Sequence, residues 1–170
     1  MVIYLIRIKN TMKKIFVLSV IVSLLLTTGT GCIKEKDVCQ QKTVESEEAA
    51  MVNYAASISI PAIKHSSGMY YYIENQGNAT MPTLNSNLKA NYIGKLLNGT
   101  VFDQTTTTTG PATFALGGVI FGWQLGLPLI GEGGIIHLFI PSSLAYGCSD
   151  NGPIPAYSVL YFRVELVDVL

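Results

Sequence analysis

The sequence predicts an α+β domain built on a mainly antiparallel sheet, and three observations carry that expectation. Apolar residues alternate with period two in residues 69–74, 88–97, 135–140 and 159–170, the pattern of strands with one buried face. Asn98-Gly99 joins two extended stretches and is a strong short-range hairpin signal. Helical spacing is confined to residues 43–56 and to a short run that begins near Val119 and Ile120. Strands, tight turns and few helices favour an antiparallel sheet. There is no internal repeat and no second domain.

At the front, Met12-Lys13-Lys14 precedes a twelve-residue apolar run (15–26) and then small residues before Cys32. Basic start, short apolar core and small residues form the layout of a secretory signal peptide over residues 1–31. The run is shorter than the roughly 20 residues that a membrane-spanning helix needs. Residues before Met12 add nothing to the pattern, so Met12 also suits as the start. Thr28-Gly29-Thr30-Gly31-Cys32 resembles a bacterial lipobox, with Gly29 departing where a Leu-like residue is usual. The expectation is cleavage before Cys32 and attachment of lipid to it; the alternative is ordinary cleavage nearby and a plain thiol. The whole chain has no net formal charge and is 49% hydrophobic, much of it in this front segment. Loss of residues 1–31 would remove Arg7, Lys9, Lys13 and Lys14 and no acid, leaving seven basic against eleven acidic residues. That surface has no basic stripe and argues against nucleic acid as a partner. The remaining length suffices for one domain with its own core.

Residues 32–64 read as a solvated tether leading into a helix over 43–56, with Val44, Ala50, Met51 and Tyr54 on one face. Thr43 or Ser46 suits the N-cap, with acids inside the first turn. Glu45, Glu47 and Glu48 are expected to be solvated; three carboxylates without a histidine seldom hold a transition metal. Pro61 and Ser66-Ser67-Gly68 then mark the change to sheet texture, so that the domain proper runs over 65–170. Leu88, Ala90 and Tyr92 share one face of their strand, opposite Lys89, Asn91 and Lys95. The five threonines 105–109 form a polar loop or edge with no core role. Trp123, the only tryptophan, follows a glycine, which lets backbone approach its flat ring and suits the floor of a corner or a pocket. Leu125, Leu127 and Ile130 continue a short helix until Pro128 and the glycines 131–134 end it. In residues 135–140 the inward set is Ile136, Leu138 and Ile140, which leaves His137 as a surface residue without a catalytic role. Residues 141–157 are a loop punctuated by Gly and Pro. The last strand turns Leu160, Phe162, Val164 and Leu166 inward, and Arg163 and Glu165 outward.

Set in order, NYIGKLLNGTVFD (91–103), FALGGVIFGW (114–123), GLPLIGEGG (126–134), IPSSLAYG (140–147) and GPIPAYSVLYFRVEL (152–166) resemble the FKBP family of peptidyl-prolyl isomerases. The resemblance spans about residues 68–170 and implies a five-stranded antiparallel sheet wrapped around one short helix. It implies a hydrophobic pocket with Trp123 as floor and with Tyr92, Phe102, Phe114, Val119, Ile120, Ile154 and Phe162 as substrate-binding walls. Asp103 and Tyr146 would stand at the rim. Asp103, Tyr146 and the Ile120 backbone N–H would take the catalytic roles, the last two by holding substrate carbonyls. No cofactor and no metal is implied. Proline-containing peptides and unfolded exported proteins are the implied substrates, with macrolide inhibitors as further ligands. Three departures lie on the rim: Thr108 where the family often has Arg, Ala112 where an aromatic is common, and Ala156 where a second proline is usual, with Pro153 one residue early. They bear on substrate preference and macrolide affinity.

Two functional readings fit these residues: an isomerase of exported proteins, and a proline-peptide-binding or chaperone-like module with little turnover. The sequence leaves them open, since both need the same walls. With lipid on Cys32, Cys39 and Cys148 remain, an even number in an oxidising compartment, and they are expected to form a disulfide. That bond would pin the added helix beside Tyr146; free thiols, with Cys39 in a mobile tether, are the alternative. The expected location is the bacterial cell envelope, lipid-anchored to a membrane, with the domain in the periplasm or at the cell surface.

Overall fold

The computed structural model describes residues 39–170, so the expectations on the signal peptide, the start at Met12 and lipid on Cys32 lie outside the described residues. Helix α1 (Val44–Ser57) begins where the side-chain hydroxyl of Thr43 accepts from the Ser46 N–H at 3.3 Å. Glu45 and Glu47 stand in its first turn, on the positive side of the helix dipole. Seven strands follow: β1 (Ile63–Lys64), β2 (Tyr70–Asn75), β3 (Asn87–Leu96), β4 (Val101–Gln104), β5 (Ala112–Ala115), β6 (Ile135–Ile140) and β7 (Leu160–Val169). Their order is β1-β2-β6-β7-β3-β4, with β5 also on β3, and every pairing is antiparallel. The count of seven corrects the implied five. The two-residue β1 extends one edge, and the run 105–111 splits the partner of β3 into β4 and β5. Between β5 and β6 lies helix α2 (Phe121–Gly126), continued by a 3-10 turn, Leu127–Leu129.

Helix α2 lies against one face of the sheet. A Cβ on Gly122 would stand 2.5 Å from Ile140 Cγ2, and one on Gly126 2.5 Å from Leu138 Cδ2. The two glycines are spaced i, i+4 and so share a helix face; they let α2 settle onto β6. Around this contact the core assembles Leu88, Leu127, Ile130, Ile136, Leu138, Leu160, Val164 and Leu166, all with no exposed surface. Each such side chain contributes roughly 1.5–3 kcal/mol by burial.

The opposite face of the sheet is covered as well. Met51 and Ala55 of α1 pack with Phe139, Val159 and Tyr161 in a second cluster. This corrects two expectations. His137 is not at the surface but 5% exposed, with Nδ1 2.9 Å from the Tyr161 hydroxyl and Nε2 2.8 Å from Glu74. Strand alternation did place His137 opposite Ile136 and Leu138; what it could not show is that Tyr72, Tyr161 and Glu74 close around it there. Burial holds its pKa below the usual histidine range despite the Glu74 carboxylate. The Arg163 guanidinium, 2.9 Å away, and then His137 lower Glu74 to about 2. Glu47 is likewise not solvated but 4% exposed, and its carboxylate accepts from both the N–H (2.8 Å) and the hydroxyl (2.9 Å) of Ser142. Ala50, expected on one face with Val44, Met51 and Tyr54, is exposed; the buried row of α1 is Glu47, Met51 and Ala55.

Candidate active site

On the α2 side of the sheet the curved strands leave a cavity of about 400 Å³. Trp123, from the first turns of α2, forms its floor. The Tyr92, Phe114 and Phe162 rings meet the indole edge-on, at centroid distances of 5.3, 5.3 and 5.2 Å. Such pairs favour this geometry because the positive edge of one ring meets the negative face of another. Phe102 stands edge-on to Phe162 at 5.4 Å. This closeness rests on Gly94, where a Cβ would stand 2.7 Å from both the Phe102 and the Phe162 ring. Gly94 is therefore part of how the wall is built, a role the sequence reading did not assign.

Tyr92, Phe102, Asp103, Phe114, Val119, Ile120, Trp123, Tyr146 and Phe162 all line the cavity. Ile154 does not. It is 4% exposed and belongs to the core cluster behind the site, tied into a short bridge with Asn151. Ala112, Thr113 and Gly118 complete the lining; Ala112 leaves open the space that an aromatic would fill. Thr113 and Gly118 went unassigned because neither carries a recognisable chemical signal.

The polar groups converge from three segments. The Tyr92 hydroxyl donates to Asp103 Oδ2 at 2.6 Å, across the β3–β4 pair. Burial, then the Asp103 carboxylate, push the Tyr92 pKa well up, so the phenol stays a neutral donor. Tyr146 is 37% exposed, and its hydroxyl has no hydrogen-bond partner among the described residues. The Ile120 carbonyl receives the Trp123 and Gln124 N–H groups at 3.0 and 3.2 Å, whereas its own N–H meets no acceptor among the described residues. Gln124 Nε2 donates to the Val119 carbonyl at 2.7 Å and to that of Gly117 at 3.3 Å, which fixes the backbone leading into Ile120. The Ile120 N–H and the Tyr146 hydroxyl thus belong to the lining of an aromatic cavity and have no partner among the described residues; the buried Trp123 Nε1 has none either.

The threonine run is a self-satisfied turn. Thr106 and Thr109 exchange backbone and hydroxyl bonds, and the Thr105 hydroxyl accepts from the Tyr92 N–H at 2.9 Å. Among the described residues, no group of three or more His, Cys, Asp or Glu is placed to hold a metal ion. Cys39 and Cys148 are disulfide-bonded, with Cα atoms 5.7 Å apart, and Cys148 stands two residues after Tyr146.

The sequence model of the FKBP-type peptidyl-prolyl cis-trans isomerases matches residues 78–167, more than half of the chain and the whole of this site. The chain belongs to that family. Among its relatives, FkpA of Aeromonas hydrophila is 36% identical over 135 residues, which cover 79% of this chain and 50% of that protein. The FKBP-type 22 kDa isomerase of Escherichia coli K12 is 41% identical over 105 residues, covering 61% and 51%. The crystal structure of FkpA from Escherichia coli superposes with a TM-score of 0.66 at 37% identity, covering 74% of this chain and 60% of that one. This member of the family spans about half the length of the curated relatives it matches. Its sheet, its short helix and the ordered motifs between 91 and 166 are the family's; α1 and the Cys39–Cys148 bond stand before and around that core.

Proposed function

We propose that this chain catalyses cis-trans rotation about X-Pro bonds in exported proteins, with no cofactor. The single observation that carries the reading is the aromatic cavity whose lining includes two donors without partners among the described residues, the Ile120 N–H and the Tyr146 hydroxyl. Resonance gives the peptide bond a rotation barrier of about 18–20 kcal/mol. In the twisted transition state that resonance is lost and the carbonyl and nitrogen are less polarised. An apolar wall of Trp123, Phe114 and Phe162 therefore disfavours the twisted form less than water does. Catalysis of this kind is differential binding and needs no nucleophile. The Ile120 N–H and the Tyr146 hydroxyl hold carbonyls that flank the proline, while Asp103 keeps the Tyr92 ring against the indole. A thousandfold acceleration requires about 4 kcal/mol from these sources together.

Tyr146→Phe is the direct test of one donor. The variant keeps the ring and loses a hydroxyl that has no partner to leave unsatisfied, so its melting temperature should match the parent's. The kcat/KM on X-Pro peptides should fall about threefold to tenfold, the worth of one hydrogen bond made in the transition state. Full activity on several peptides removes the hydroxyl from the mechanism.

Gly31-Cys32 supports a further part of the proposal: a mature protein that begins at a lipid-modified Cys32 and fractionates with membranes of the bacterial cell envelope. One acyl chain binds membranes only marginally, whereas two or more anchor stably. Mass spectrometry of the mature N-terminus should find Cys32 carrying diacylglycerol, and an unmodified thiol there defeats the anchor without touching the isomerase reading. The substrates are then unfolded segments of exported proteins, with macrolides as competitors for the same cavity.

A further inference from the structure

Residues outside the cavity determine where Tyr146 stands. The loop after β6 carries it, and the hub of that loop is Ser142, which is 1% exposed. The Ser142 carbonyl accepts the Ala145 N–H at 3.0 Å and the Gly147 N–H at 2.8 Å, the two amides on either side of Tyr146. The other half of Ser142 is held from α1: its N–H and hydroxyl both donate to the Glu47 carboxylate, 95 residues away in sequence. A buried carboxylate must be satisfied, and Glu47 is satisfied by this one residue, with Lys42 Nζ at 3.7 Å beyond. Two residues past Tyr146, the Cys39–Cys148 bond ties the same loop to the segment just before α1. Gly147, with φ 63°, adopts the left-handed conformation that the tight return requires.

We propose that Glu47 is a positioning residue for the isomerase site: through Ser142 it sets the backbone that aims the Tyr146 hydroxyl into the cavity. The segment 39–57 is then a working part of the site rather than an appended tether. This rests on the isomerase reading above for its catalytic consequence, but its structural content stands apart from it. Glu47 itself is not among the residues that line the cavity. Its effect must pass through Tyr146, and that dependence separates positioning from general support of the fold.

The test uses the full chain with Glu47→Ala, Glu47→Gln, Tyr146→Phe and the double variant Glu47→Ala/Tyr146→Phe. Exchange of the Ala145 and Gly147 amides with deuterium is followed together with catalysed exchange of an X-Pro peptide. Glu47→Ala should speed exchange of those two amides at least tenfold, while amides of the β6–β7 ladder stay protected. It should lower kcat/KM by no more than the roughly threefold to tenfold that Tyr146→Phe itself costs, because the effect passes through that hydroxyl. Glu47→Gln, which keeps an acceptor for Ser142, should recover most of both. In the Tyr146→Phe background the further loss from Glu47→Ala should largely vanish, because residues that act through one another are not additive. Equal losses in both backgrounds, or unchanged exchange at Ala145 and Gly147, overturn the proposal. Should Glu47→Ala fail to fold, Glu47→Asp, whose carboxylate is one methylene too short to meet Ser142 as Glu47 does, decides by the same two amides: exchange clearly faster than the parent's sustains the proposal, and unchanged exchange overturns it. A parent protein that gives no catalysed exchange at all defeats the isomerase reading instead, and leaves the clamp to be judged on amide exchange alone.

Discussion

Trp123→Ala should cost about 3–5 kcal/mol of stability and abolish measurable turnover in whatever fraction stays folded. The indole is 5% exposed and is the common contact of three rings, Tyr92, Phe114 and Phe162. Truncation removes its transfer free energy and leaves a cavity that the surrounding sheet cannot collapse to fill. The loss of function has a separate cause. Without the floor, water enters the site and the advantage of an apolar surround for the twisted amide disappears. Chemical denaturation measures the first effect, and peptide isomerisation under conditions where the variant is still folded measures the second. A variant that stays within about 1 kcal/mol of the parent would show that the indole is not what the three rings pack upon. One that is destabilised but fully active per folded molecule would show that the floor is structural only.

Loss of the Cys39–Cys148 bond should be the second large effect. The bond spans a sequence separation of 109 residues. Closing a loop of roughly 100 residues in the unfolded chain corresponds to as much as about 4.7 kcal/mol by chain entropy. Cys39→Ser with Cys148→Ser should therefore lower the denaturation midpoint clearly while leaving the m-value close to that of the oxidised parent plus the surface newly exposed by a longer free chain. The loss should fall first on the segment before α1, which the bond ties to the loop after Tyr146. Equal stability of oxidised parent and double variant would mean that the bond constrains nothing the rest of the fold does not already hold.

Much of the site was legible because its residues obey short-range rules. Leu88, Ala90 and Tyr92 alternate along β3, Asn98-Gly99 makes the turn to β4, and Phe162 falls on the inward side of β7; each needs only its near neighbours to be placed. The failures share the opposite property. His137 was assigned to the surface because one strand's alternation reveals two faces but not what covers the second, and the cover is Tyr72, Tyr161 and Glu74 from the neighbouring strands. Glu47 was read as solvated because a carboxylate in the first turn of a helix normally is; its partner Ser142 is supplied by tertiary structure alone. Ile154 was carried over to the wall by motif, yet the shifted Pro153 and the Asn151 bridge belong to a loop that turns it into the core. Gly94 gave no chemical signal at all, since what it provides is the absence of a Cβ between two rings. Strand number was misjudged where the threonine turn interrupts a ladder, a break eased because Thr106 and Thr109 satisfy each other's backbone N–H and the Thr105 hydroxyl takes up the Tyr92 N–H.

The central claim is that this cavity lowers the barrier to X-Pro rotation rather than merely holding proline. Two-dimensional exchange NMR on a short X-Pro peptide, with the chain present at a small fraction of the peptide concentration, measures that directly. Uncatalysed interconversion takes tens of seconds or longer, so cross-peaks between the cis and trans resonances are absent at mixing times well below a second. The account predicts that substoichiometric parent protein brings those cross-peaks up, with an exchange rate proportional to protein concentration, and that Trp123→Ala does not. Broadening of the peptide resonances with no cis-trans cross-peaks at any protein concentration would contradict it, and would make the cavity a binding site without turnover.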